Sequence, residues 1–132
     1  MTTITTDIPT LTLTDIAKRM VELADERPEH VYRRHDGGTV GNCWYAHPGS
    51  AEPNGGGCLV GQALASLGVP LSKLEANGLP AQELMCSLGY VDYSSAWRDE
   101  TLREIRSAQS EQDSGLSWGD AVASLRHFLR GV

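Results

Sequence analysis

Cysteine is scarce in this chain of 132 residues. There are three, Cys43, Cys58 and Cys86, an odd number with no C-x2-C pair. That argues against a disulfide framework and against paired-knuckle zinc folds, and fits reduced thiols. Phenylalanine occurs once, so packing bulk falls to three Trp and four Tyr. Long apolar runs are missing as well. None approaches the ~18 residues of a membrane span, and residues 1–10 have neither the cationic start nor the apolar stretch of a secretory signal. The expected location is the cytoplasm, with no membrane partner. Positive charge is outnumbered, 11 Lys and Arg against 17 Asp and Glu, for a net charge of -6. This disfavours a general affinity for nucleic acid, though it leaves room for a local basic face.

What is present reads as one domain over 12–132 behind a flexible Thr-rich tail, 1–11, with enough chain to bury a core unaided. Thr12 and Asp15 have the form of a capping box, and Ile16, Met20, Leu23 and Ala24 share one face of a helix over 13–27 that Pro28 ends. The segments 30–35 and 40–46 are β-branched and aromatic around Asp36-Gly37-Gly38, which predicts a β-hairpin. Two Pro and four Gly make 47–57 an exposed loop without regular structure. Val60, Leu64 and Leu67 mark a buried helix over 58–67 that Gly68 stops, with Gly61 and Ala65 allowing close approach of another element. One helical turn over 72–78 and a short helix from Pro80 to Leu88 follow. A helix over 96–112 and a second one capped by Ser117 and running to Gly131 form a C-terminal helical hairpin. The expected fold is therefore mainly α with a small β-hairpin (α+β), about five helices in all.

Chemistry concentrates between His30 and Cys58, where three of the four histidines stand. His35, Cys43, His47 and Cys58 are the right ligand types for zinc. Their spacing is not that of a zinc site, because Cys43 and His47 sit four apart on an alternating segment while Cys58 opens a helix. The plainer role for such cysteines is that of small hydrophobes. The same four residues are candidates for thiol catalysis. Gly41-Asn42-Cys43-Trp44 is similar to the nucleophile segment of papain-like proteases, but Tyr45-Ala46-His47-Pro48 cannot continue as the helix those enzymes need. Cys58 has the better placement, at a helix start where a thiolate would be stabilised and His35 or His47 could serve as base. The run Gly55-Gly56-Gly57 entering a helix suggests phosphate binding, yet Gly61-Gln62-Ala63 lacks the Lys and hydroxyl of a Walker motif. Arg27, His30, Arg33, Arg34 and His35 form a basic patch that could imitate a DNA-binding wing, or equally a charged, solvated edge.

Longer motifs join these pieces. Gly57-Cys58-Leu59-Val60-Gly61-x-Ala63-Leu64-x-x-Leu67-Gly68-Val69 and Ala108-Gln109-x-x-Gln112-Asp113-x-Gly115-x-x-Trp118-Gly119-x-Ala121-Val122 resemble small uncharacterised proteins of actinobacteria and their bacteriophages. The resemblance spans nearly the whole chain past the tail. It implies a source and a single-domain unit, and carries over no functional residue. The expected function is a non-catalytic protein-interaction module, a phage accessory protein binding a host component, without catalytic residues, cofactor or metal. The alternative is a small Cys/His site built from Cys58 or Cys43 with His35 or His47, as structural zinc or a thiol-dependent hydrolase.

Overall fold

Thr12 starts the first helix, α1 (Leu13–Glu26), as the spacing predicts: its hydroxyl accepts from Asp15 N–H at 3.0 Å, and Asp15 Oδ2 accepts from Thr12 N–H at 2.9 Å. The helix stops at Arg27, whose φ of -137° is where a residue preceding proline is pushed. The structure, a computed structural model, describes residues 8–33, 44–75 and 79–131. The remaining helices are α2 (Leu59–Ser66), α3 (Ala81–Ser87), α4 (Tyr93–Ala96), α5 (Glu100–Asp113), α6 (Trp118–Ala121) and α7 (Ala123–Arg130). Short 3-10 turns at Pro53–Gly56 and Leu71–Lys73 precede and follow α2.

Helix α2 is buried from Leu59 through Leu64, Gly61 and Gln62 included, so it is the central element. Helices α1 and α5 pack on it, and α6 and α7 close the bundle against α1 and α5. One apolar cluster runs from Leu13 to Leu125, with Ile8 and Leu11 packed against it. Near the start of the described chain, Tyr90 Oη donates to Pro9 O at 2.9 Å. Helices α2, α3 and α5 end alike: Gly68, Gly89 and Gly115 take positive φ, and the next amide reaches back five residues, as in Val69 N–H to Leu64 O. The expected helix over 96–112 begins later, because Asp99 caps α5 by accepting from Leu102 N–H at 2.8 Å. The chain before it turns separately as α4. The C-terminal partner is two short helices, α6 and α7, meeting at Val122.

The expected β-hairpin over 30–35 and 40–46 is corrected: the described residues form helices and turns, with no strand among them. The turn at 36–38 lies outside the described residues. The hairpin's described ends do not form a ladder, because the backbone of 44–47 is committed to two other segments, the loop 55–58 and Leu74. Trp44 O accepts from Cys58 N–H at 3.0 Å, Ala46 N–H donates to Leu74 O at 3.0 Å, and His47 N–H donates to Gly55 O at 2.8 Å. The sheet-like pairing is an isolated parallel bridge between Ala46 and Glu75. Tyr32 and Tyr45, which make these segments look like strands, are instead buried anchors, 2% and 1% exposed.

Candidate functional site

The chain leaving α1 and the loop entering α2 face each other across a cleft of about 610 Å³, lined by Glu29, His30, Tyr32, His47 and Glu52 with Gln62 of α2. Tyr32 Oη joins the two walls: it accepts from Trp44 N–H at 3.0 Å and shares a 2.8 Å hydrogen bond with His47 Nε2. The His47 ring also meets Tyr32 and Trp44 edge-on, both at 5.7 Å. His30 is fixed differently. Arg27 Nη2 lies 3.0 Å from His30 Nδ1, and a guanidinium can only donate, so Nδ1 is the acceptor and the neutral ring carries its proton on Nε2. Burial, reinforced by the Arg27 charge and partly opposed by Glu52, holds this imidazole below its usual pKa of 6.5. The ring stands edge-on to Trp118, with centroids 4.5 Å apart.

Two glutamines hold the glycine loop beneath the cleft. Gln62 Nε2 donates to Gly57 O at 2.8 Å, and Gln112 Oε1, reaching from α5, accepts from Leu59 N–H at 2.8 Å. Cys58 occupies the N-cap position of α2 without a side-chain bond, and Gln112 supplies the missing cap from 53 residues away. The first amide of α2 is thus spent on protein rather than offered to an anion. Gly57 and Gly61 lie against the carbonyl of Tyr45, where a Cβ would fall 2.0 and 1.8 Å from its oxygen. The glycines allow that contact.

Two of the four candidate site residues, His47 and Cys58, fall among the described residues. His47 lines the cleft, Cys58 is fully buried in the core, and His35 and Cys43 lie outside the described residues. No group of three His, Cys, Asp or Glu that could hold a metal ion occurs among the described residues. Of the basic patch, Arg27 is occupied: it bonds His30, lies 4.0 Å from Glu52 and sits 5.6 Å from the Trp118 centroid. Arg33 is exposed, and Arg34 lies with His35 outside the described residues.

A second surface is formed where Trp97, at the end of α4, meets Arg106 of α5. Tyr93 and Trp97 bracket α4, 70% and 65% exposed, and Arg106 of α5 places its guanidinium 4.8 Å from the centre of the Trp97 ring. Beside them, α3 and α5 enclose a groove of about 430 Å³. Comparison with known protein families, curated proteins and solved structures finds no match. The cleft is a polar junction whose main side chains are engaged with one another. The α4–α5 face has two large aromatics turned to solvent, and the sequence offers one hint of it: Tyr93 and Trp97 stand in a polar stretch, Asp92 to Asp99, with no apolar helical period to bury them. Among the described residues no helix is long and apolar enough to cross a membrane.

Proposed function

We propose that this chain is a non-catalytic protein-interaction module whose contact face is α4 with the adjoining side of α5. The observation that carries it is the exposure of Tyr93 and Trp97, four residues apart and so on one side of their helical turn. Aromatics of this size contribute most when desolvated, and Trp, Tyr and Arg dominate the energetic centres of protein interfaces. Arg106 is already stacked on Trp97, which holds both side chains in place before a partner arrives and lowers the entropy cost of binding. In line with the motif resemblance, we place the chain among phage accessory proteins that act on a component of an actinobacterial host.

The test is affinity capture from an actinobacterial lysate with the wild-type chain and with Tyr93→Ala/Trp97→Ala, matched for thermal midpoint. A partner held by the wild type is expected to fall by about tenfold or more with the variant, the loss typical of an aromatic anchor. An unchanged set of captured proteins would sink the proposal.

A further inference from the structure

We infer that the groove between α3 and α5 is a binding site for an acidic, extended peptide segment, its carboxylates held by Arg103 and Arg106. This deepens the proposed function and rests on the α4–α5 face being the contact surface.

One wall of the groove is apolar, Leu79, Pro80 and Ala81, with Leu79 41% exposed. The other wall is α5, which turns Arg103, Arg106 and Ser107 into it. Arg103 and Arg106 are three apart and share a helix face. Arg19, Arg27 and Arg126 each have an acidic partner within 4.0 Å, whereas neither groove arginine has one among the described residues. In a chain of net charge -6, two guanidiniums in one concavity, neither with an acidic partner among the described residues, are a local reversal of sign. Asp113, the carboxylate lining the same groove, accepts from Gln112 Nε2 at 2.8 Å and is engaged by protein amides. Arg106 is also steadied by its cation–π contact with Trp97, and a guanidinium carries the planar fork of donors that binds a carboxylate bidentately.

The spacing selects an extended segment. Residues three apart on a helix are separated by about 4.5 Å along its axis, and long arginine side chains splay from there. Alternate residues of an extended peptide lie on one face about 6.7 Å apart. Acidic residues two apart can thus engage Arg103 and Arg106 while the apolar residue between them turns toward Leu79 and Pro80. A nucleic acid strand fits less well, because one wall of the groove, Leu79, Pro80 and Ala81, is apolar and supplies none of the cationic contacts that a phosphate backbone takes along its length.

The test titrates the full chain, ¹⁵N-labelled, with a blocked octapeptide alternating Glu and Leu, and with its Gln counterpart. The acidic peptide is expected to shift the amides of Ala81, Arg103, Arg106 and Ser107 and to weaken as salt rises, with the Gln peptide binding about tenfold less tightly. Arg103→Ala and Arg106→Ala should each weaken it by about threefold, as for a partly exposed ion pair, and Arg103→Glu/Arg106→Glu should abolish it. Absent binding, equal binding of the two peptides, shifts confined to the cleft of His30 and His47, or displacement by an equal concentration of a thymidine oligonucleotide would each overturn the inference. The two proposals fail separately. If the lysate partner is lost with Tyr93→Ala/Trp97→Ala but kept by Arg103→Glu/Arg106→Glu, the contact face stands and the acidic-peptide site falls. If the Glu peptide binds through the arginines and the aromatic variant captures the same proteins, the groove stands and the contact face falls.

Discussion

Replacing Gly61 by alanine should destabilise this protein although it improves a helix. On an open helical surface the change gains about 1 kcal/mol of propensity. Within α2 the new Cβ would lie 1.8 Å from Tyr45 O and 2.5 Å from Tyr45 C and Cα, deep inside contact distance and against backbone, which cannot swing aside as a side-chain tip can. Tyr45 is fastened on every side. Trp44 O and Ala46 N–H are bonded to Cys58 and Leu74, the Tyr45 ring is 1% exposed, and its hydroxyl donates to Leu79 O. Relief therefore requires the 44–46 segment to move off α2. Overpacking costs about 1–3 kcal/mol, and the backbone hydrogen bonds lost with the segment add about 0.5–1.5 kcal/mol each. After the propensity gain is subtracted, a net loss of about 3 kcal/mol remains, which lowers Tm by roughly 10 °C for a chain of this length. Thermal and urea unfolding followed by circular dichroism measure it. Gly119→Ala, where the Cβ would meet Pro28 O at 2.9 Å, serves as a milder comparison and should lose less. An unchanged or higher Tm for Gly61→Ala would refute the reasoning, since propensity would then have won over the contact with Tyr45.

Gln112→Ala removes the acceptor of a buried amide at the start of α2, so a loss of about 1–3 kcal/mol is expected; hydrogen exchange should show Leu59 N–H deprotected, and retained protection there would contradict the cap. His30 gives a pH dependence. Its folded pKa lies below 6.5 through burial and Arg27, so the unfolded chain binds the proton more readily; this part of the stability is complete above that value and declines as pH falls toward the folded pKa. Tm measured from about pH 7.5 to about pH 5.5 should drop more for the wild type than for His30→Gln, and an imidazole titrating at or above its ordinary value by NMR would reverse the sign.

Much of the helical frame is legible in the sequence because its signals are local. Thr12 and Asp15 announce α1, Ser117 announces α6, and Gly68 and Gly115 mark where α2 and α5 stop. The region 30–46 is misleading for a physical reason: Tyr32, Trp44 and Tyr45 have the character of strand residues, but two of them serve as buried anchors and the backbone around them bonds to distant loops. The separation of α4 from α5 is hidden because no Gly or Pro stands between them, and Asp99 acts as a cap only once the chain has turned. For the cleft, the cluster from His30 to Cys58 points to the right neighbourhood, and His30 and His47 are in it. Gln62 and Gln112 are invisible as loop-holding residues, since nothing in an isolated glutamine tells that its partner is Gly57 or Leu59. The arginine groove is equally hidden, because Leu79 and Arg103 meet only in the folded bundle.

The dependence of residues 44–58 on distant partners has a kinetic consequence. Helices α1, α2 and α5 can form and collide through their own apolar faces. The 44–58 segment takes its hydrogen bonds from Leu74, Leu79, Gln112 and Tyr32, so it is expected to order once these are in position. Held mainly by single hydrogen bonds to those partners and not by a helical face of its own, the segment is expected to be completed on the native side of the transition state. Damage to this segment would thus leave the refolding rate nearly untouched and shorten the lifetime of the native state. It is the loop, and not the helices around it, that acts as the latch on unfolding.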